Sequence, residues 1–289
     1  MSDLGDKSRL TEIAFFGGSF TAIERGYMLS LLEATAPYID RFYGIRVSTR
    51  PDAVNPEALS ILKRFHVTAI ELGAQSMDNS VLELNKRGHS AEDVCRASEL
   101  IQNDGFSLGL QMMTGLYGAT PETDIHTAER FIAIHPDTVR VYPTVIMKDT
   151  ELAALYQSGK FTPYSLDVSV DLCARLILMF AKADINLIRL GLHYSDSLVK
   201  NSLGGSYHPA FKELCESKIF YDSFVRQAKH LPGRHVTASI HQTSLSKFIG
   251  QKKSNLKKFI ALGYEVKTTF DNTLSKYDLK LTSEGFTCD

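Results

Sequence analysis

The sequence predicts a parallel α/β fold, and three observations carry that reading. Short apolar runs alternate with helical patterns at least six times between Glu12 and Leu192. Most of these runs end in glycine or small polar residues, the grammar of strands whose loops share one rim. The helical stretches each carry one apolar face, which suits helices packed outside a sheet, open or closed into a barrel.

The elements follow in order. A first strand, Ile13 to Phe16, runs into Gly17-Gly18 and then the hydroxyl residues Ser19 and Thr21. Two glycines let the backbone turn sharply and bring its N–H and C=O groups against a ligand. A helix is expected over Ile23 to Tyr38, then a strand over Gly44 to Thr49 that ends in Arg50-Pro51-Asp52. Asn55-Pro56-Glu57 opens the next helix with an N-cap residue, a first-turn proline and an acid at the positive end. Thr68 to Gly73 is a strand, and Gln75-Ser76 leads to a helical segment ending near Arg87-Gly88-His89. The helix from Glu92 to Asn103 turns Val94, Ala97, Leu100 and Ile101 inward and stops at Asp104-Gly105. Ser107 to Thr114 is a strand, Pro121 to Ile134 a helix, and Asp137 to Ile146 a further strand. Helices over Glu151 to Ser158 and Asp167 to Lys182 precede the strand Asn186 to Leu192. From Ser195 the alternation weakens around Gly204-Gly205 and His208-Pro209, so the chain is expected to divide into residues 1–194 and a small α+β portion, 195–289.

With 289 residues the chain can bury a large core, and a net charge of −1 gives no whole-chain field for nucleic acid or membrane. No stretch of about 20 apolar residues occurs, so a cytoplasmic protein without membrane partners is expected. Cys95, Cys173, Cys215 and Cys288 are spaced too widely for a local metal clip, and Cys95 and Cys173 fall in helical patterns as core residues. His193, His208 and His241 lack metal-ligand spacing and are read as structural or surface residues.

In parallel α/β folds ligands bind at the C-terminal ends of the strands. Here that rim carries Gly17-Gly18-Ser19, Ser48-Thr49-Arg50, Glu71 with Gln75, Gln111, and Tyr142 with Thr144. The set is polar, with little acid and no nucleophile–His–acid arrangement, and suits gripping a polar cofactor better than hydrolysis. The competing reading is that Arg50 and Gln75 merely cap loop carbonyls.

The runs GGSFT, STRPD, ELGAQS, NKRGH, QMMTGL and VRVYPTVIMKDTEL, in this order, resemble the radical S-adenosylmethionine (SAM) superfamily. Within it the likeness is to the elongator catalytic subunit and its stand-alone bacterial relatives, over Glu12 to Phe161, with Gly204 to Asp222 similar to the bacterial C-terminal extension. The resemblance implies an incomplete (β/α)6-type parallel barrel, SAM as cofactor and a tRNA base as substrate. It places Gly17, Gly18 and Ser19 at the turn that holds the methionine amino group, although Ser19 stands where many members have an acid. It places Gln75 near the ribose and Arg87 against the carboxylate, which a guanidinium grips with two charge-assisted hydrogen bonds. Ser48, Arg50 and Gln111 line the same pocket. The competing reading of Arg87 is a helix-end cation facing the C-terminal dipole.

One departure outweighs the matches. The family carries a CxxxCxxC motif ahead of the glycine turn, whose three thiolates hold a 4Fe–4S cluster. Only eleven residues precede Glu12 here, and none is cysteine. The 4Fe–4S cluster is thus expected for the family while its ligands are absent, and reductive cleavage of SAM has no electron source. Two explanations stand: a truncated fragment of an enzyme, or a degenerate member that binds SAM or RNA without radical chemistry. Either way the strand Ile13 to Phe16 presents an open edge, and self-association through it is expected. Finally, Lys247, Lys252, Lys253, Lys257, Lys258 and Lys267, interleaved with Phe248, Phe259 and Tyr264, form a candidate tRNA contact, against the plainer reading of a solvated basic face.

Overall fold

The computed structural model describes residues 10–283. In chain order the elements are β1 (Glu12–Phe15), α1 (Arg25–Glu33), β2 (Gly44–Thr49), α2 (Pro56–Arg64), β3 (Val67–Gln75), α3 (Asn79–Leu84), α4 (Ala91–Asn103), β4 (Ser107–Thr114), α5 (Pro121–Ile134), β5 (Thr138–Pro143), β6 (Val145–Met147), α6 (Glu151–Gln157), α7 (Leu166–Lys182), β7 (Asn186–Leu190), α8 (Asp196–Asn201) and β8 (Ser202–Gly205). Then follow α9 (Phe211–Ala228), β9 (His235–Ile240), α10 (Leu245–Ile249), α11 (Ser254–Ala261), β10 (Glu265–Phe270) and β11 (Leu279–Ser283). The six strands β1-β2-β3-β4-β5-β7 lie in that order in one parallel sheet. The sheet is open and curled, an incomplete barrel of the (β/α) type, with a smaller α+β region towards the C-terminus.

Contacts divide the chain into two compact units. The first comprises residues up to Pro163 with Phe180–Leu190 and Lys200–Gly205; the second comprises Tyr164–Met179, Gly191–Val199 and residues from Ser206 onward.

In the first unit, strand alternation separates two faces. Ile45 and Val47 of β2, Leu108, Leu110 and Met112 of β4, and Val139 and Val141 of β5 are fully buried. The alternate residues Arg46, Ser48, Gln111 and Arg140 are polar and only partly covered. The helices are started as their sequences dictate. Asn55 Oδ1 accepts from Ala58 N at 2.9 Å to cap α2, and Ser90 with Asp93 forms a capping box on α4.

Two expected elements differ. The helix over Ile23 to Tyr38 is shorter, Arg25–Glu33, because Pro37 restricts Ala36 and the chain leaves the helix ahead of it. The run Asp137 to Ile146 is two strands rather than one: β5 stays in the large sheet, whereas β6 pairs antiparallel with β8. Gly205 makes that second pairing feasible, since a Cβ there would stand 2.4 Å from the Thr144 carbonyl oxygen and its φ is +97°.

The second unit holds the sheet β10-β9-β11, parallel then antiparallel, with α9, α10 and α11. Its core joins Phe220 and Phe224 of α9 to Phe248, Phe259, Ala238, Ile240 and Leu281. Phe248 and Phe259 are fully buried, and the Tyr264 hydroxyl donates to Ala228 O at 3.1 Å. The aromatic residues interleaved with the basic run therefore serve the core, and any nucleic-acid contact there falls to the lysines.

Cys173 and Cys215 are buried free thiols, while Cys95 is partly exposed and accepts from Arg130 Nη2 at 3.4 Å; Cys288 lies outside the described residues. His208 Nδ1 accepts from Ala210 N and His241 Nδ1 from Thr243 N, both local turn contacts. Among the described residues no helix is long and apolar enough to cross a membrane.

Candidate functional site

The sequence-predicted residues fall into two groups on the first unit's sheet. The first group is mid-sheet. Glu71, only 1% exposed on β3, is the hub. Its Oε1 accepts from Arg140 Nη2 at 2.9 Å and from Arg46 Nη1 at 3.3 Å, and its Oε2 accepts from Gln111 Nε2 at 2.8 Å. Arg140 Nε also lies 2.8 Å from Oε2 as an ion-pair contact, without the alignment of a hydrogen bond. Gln111 reaches Ser48 Oγ at 3.4 Å, and Arg46 Nε donates to Glu12 Oε2 at 2.6 Å. Burial works against the Arg140 charge, but the hydrogen bonds and charge of Glu71, with Tyr142 beyond, outweigh it and raise the guanidinium pKa. Gly109 leaves the room for this arrangement, since a Cβ there would stand 2.7 Å from Glu71 Cγ. Ser48 and Gln111 are thus tied into a closed network of charges.

The second group lies at the strand ends. Gly17 has φ +105°, a conformation that favours glycine, and a Cβ at Gly17 or Gly18 would meet nothing within 4 Å. The turn therefore faces open space. Ser19 does not: its hydroxyl accepts from Arg50 N at 2.9 Å and lies 2.9 Å from Thr49 Oγ1, which in turn lies 2.6 Å from Thr21 Oγ1. Ser19 fastens the first turn to the end of β2. Gln75, with φ +67°, folds its amide back so that Nε2 would stand 2.8 Å from a Cβ at Gly73.

Arg50 and Arg87 meet at this rim. Arg50 forms a bidentate pair with Asp52, and its Nη2 stands 3.3 Å from where a Cβ of Gly88 would be. Arg87 is half-buried, and among the described residues no carboxylate pairs with it; its Nε is buried without a hydrogen-bond partner. Burial, and then the neighbouring Arg50 charge, push its pKa below the usual arginine value. Beyond Gly88, His89 is buried with Nε2 3.0 Å from Ala74 O, while its Nδ1 has no partner. Arg87, Gly88 and His89 line an open pocket of about 480 Å³ with Leu82, Ser90 and Asp93. Glu83 also lines the pocket, but neither it nor Asp93 is ion-paired with Arg87, and a guanidinium next to a second cation with an unpartnered nitrogen can receive an anion.

The sequence reading placed Glu71 on the rim but missed its role as hub, and it missed Arg46, Arg140 and Glu12 as its neighbours. The available signal was a charged residue at the centre of each of two otherwise apolar strands, GIRVST and TVRVYP.

The Radical SAM superfamily model matches residues 2–131, and the Radical SAM C-terminal domain model matches residues 136–220. The chain belongs to the radical SAM superfamily. Among curated relatives, this radical SAM chain is 32% identical over 149 residues to the tRNA uridine(34) acetyltransferase of Methanocaldococcus infernus, covering 50% of the chain and 26% of the relative. It is 28% identical over 201 residues to Elongator complex protein 3 of Homo sapiens, covering 62% of the chain and 37% of the relative. The chain thus spans about a quarter to two-fifths of the length of these relatives. Among solved structures, the archaeal Methanocaldococcus infernus Elp3 with an N-terminal deletion (1–46) superposes with a TM-score of 0.61 at 23% identity, covering 75% of this chain and 54% of that one, which supports the fold.

Two cofactors follow from the superfamily, and the residues fit them unequally. The open glycine turn and the unpartnered Arg87 nitrogen fit SAM. A 4Fe–4S cluster is not fitted: among the described residues no group of three or more His, Cys, Asp or Glu lies together to hold a metal.

Proposed function

We propose that this protein binds SAM at the C-terminal rim of its parallel sheet and serves tRNA modification in the cytoplasm, as an elongator-like radical SAM protein. One observation carries the SAM reading: Arg87 is a half-buried guanidinium with an unpartnered Nε and, among the described residues, no ion pair to a carboxylate. In this reading Arg87 grips the methionine carboxylate, with the Arg50 charge adding to the attraction. Gly17 and Gly18 supply backbone groups to the amino end, and Gln75 lies toward the ribose. Ser19, whose hydroxyl is already engaged, holds the turn in place rather than contacting the ligand. Ser48 and Gln111 act from below through the Glu71 network. Bound SAM supplies a reactive sulfonium; cleaving it reductively requires an electron from a cluster, for which the described residues show no ligand set. The tRNA reading rests on the relatives, and free thiols at Cys95, Cys173 and Cys215 suit a reducing compartment.

Isothermal titration with SAM tests the proposal. Binding is expected, and Arg87→Ala is expected to weaken it about 10- to 100-fold, the equivalent of one charge-assisted contact of about 1.5–3 kcal/mol. Absence of SAM binding, or equal binding by the variant, would overturn it.

A second reading, a non-catalytic SAM- or RNA-binding protein, is favoured by the lack of a metal-holding group among the described residues. Anaerobic reconstitution with iron and sulfide separates the two, because a stable cluster absorbance would return the protein to the enzymes. Self-association belongs to the same proposal. Among the described residues β1 pairs only with β2, and an apolar groove of about 330 Å³ lined by Ile13, Phe15, Leu31 and Phe42 runs beside it. Light scattering at rising concentration is expected to show a dimer, and a strict monomer would remove that part.

A further inference from the structure

The second unit carries a charged cluster that the SAM reading does not use. Glu216 lies on α9 with its side chain only 6% exposed. Its Oε1 accepts from the Tyr277 hydroxyl at 2.8 Å and lies 3.6 Å from Lys276 Nζ. Lys212 stands four residues earlier on α9, one turn away on the same face. Lys247 comes from α10, where its Nζ donates to Thr243 O at 3.4 Å.

These three lysines belong to three separate parts of the chain, and buried polar groups lace those parts together. Ser244, fully buried, donates from Oγ to Lys276 O at 2.5 Å, which ties the start of α10 to the β10–β11 loop. Asn255 donates from Nδ2 to Ser217 O at 2.8 Å and to Phe248 O at 3.1 Å, which ties α11 to α9 and α10. The Lys276 ammonium also sits 5.0 Å from the centre of the Tyr277 ring. The Lys276 ammonium is therefore held beside the Glu216 carboxylate, Lys212 shares the α9 face of Glu216, and Lys247 follows on α10 from the Ser244 that is tied to Lys276. Burial pushes the Lys247 pKa down, Lys276 and Lys212 add to the push, and Glu216 opposes it. Three cations against one anion leave about two positive charges uncompensated, the charge of one phosphate dianion.

We propose that Lys212, Lys247 and Lys276 form a binding site for a phosphate group, with Glu216 and Tyr277 as its floor. The Tyr277 hydroxyl is spent on Glu216, so the ligand contacts come from the lysines. The matching chemistry has two sources, a free phosphate compound or the backbone of RNA. Lys247, Lys276 and Tyr277 lie beyond residue 220, where the matches to the superfamily models end. The site does not depend on the SAM pocket, and its test is independent of it.

The test titrates the full chain with inorganic pyrophosphate by calorimetry and with a fluorescent 12-nucleotide single-stranded RNA by anisotropy. At least one probe is expected to bind. Lys247→Gln and Lys276→Gln are each expected to weaken it about tenfold or more, whereas the double variant Lys252→Gln/Lys253→Gln, on exposed neighbouring lysines, should change it less than about twofold. RNA binding with a log–log salt slope of about −1.4, as two neutralised phosphates on a single strand give, identifies the backbone as the source. Pyrophosphate binding alone identifies a free phosphate compound. The proposal is overturned if neither probe binds at millimolar concentration. It is also overturned if the Lys252/Lys253 variant loses as much as the others, which would make the effect diffuse surface charge.

Discussion

Arg46 and Arg140, at the centre of the sheet, and Arg87, at its rim, are the same side chain in opposite circumstances. The first two project from strands on either side of β3, so Glu71 can reach both, and their charges are spent within the protein. Arg87 sits in the loop between α3 and α4, where the Arg50 charge acts against it, no ion pair neutralises it among the described residues and one nitrogen is buried without a partner. Neutralised guanidiniums on a strand face stabilise the fold, whereas one left without an acid is held available for a ligand. The difference separates scaffold from candidate site within one unit, although both groups are polar.

The largest expected effect breaks the scaffold half. Glu71→Gln removes the charge that neutralises two partly buried arginines and should cost about 3 kcal/mol of unfolding free energy, as removal of one partner from a buried pair does. Urea denaturation measures it. Arg87→Met, by contrast, should change stability by less than about 0.5 kcal/mol, because no ion pair is lost. Comparable losses in the two variants would erase the distinction.

A smaller effect concerns the loop that carries Arg87. It enters α4 through the Ser90–Asp93 capping box, in which Ser90 N donates to Asp93 Oδ2 at 2.8 Å. Ser90→Ala should cost about 1 kcal/mol. The backbone hydrogen bond from Ser90 is the main cause that holds the Asp93 pKa below its ordinary value, against burial, with Arg96 adding to it. A depressed carboxylate contributes stability that is fully present above its unfolded value of about 3.9 and is lost as pH falls through the lower folded value. Asp93→Asn should therefore flatten the acid limb of stability below about pH 4 and leave neutral pH little changed in slope. An unchanged acid limb would show that the box does not anchor the loop.

The smallest effect tests the division of labour at the glycine turn. Ser19→Ala removes the acceptor for Arg50 N and should cost about 1 kcal/mol of stability while changing SAM affinity less than about threefold. A larger loss of affinity would make Ser19 a ligand contact after all.

Much of the fold was legible because one face of each strand is apolar and each helix has a local start signal, as at Asn55 and Ser90. What was not legible depends on distance along the chain. The run from Asp137 to Ile146 has strand character throughout, and only its pairing with Ser202–Gly205 shows that Val145–Met147 leaves the sheet. Glu71 looks like one acid in an apolar strand, because its partners stand 25, 40 and 69 residues away. At the site, the motif around Arg87 was readable, but whether an acid stood beside it was not. Ser19 was readable as a hydroxyl in the turn, yet its engagement with Thr49 and Arg50 exists only in the folded chain.

The most direct measurement compares SAM with decarboxylated SAM in calorimetric titrations of the wild-type protein and of Arg87→Ala. The account predicts that the wild-type protein prefers SAM by about tenfold or more and that the preference disappears in the variant, since the guanidinium and the carboxylate are one interaction. An equal preference in both proteins, or none in the wild type, would contradict the assignment of Arg87 to the carboxylate.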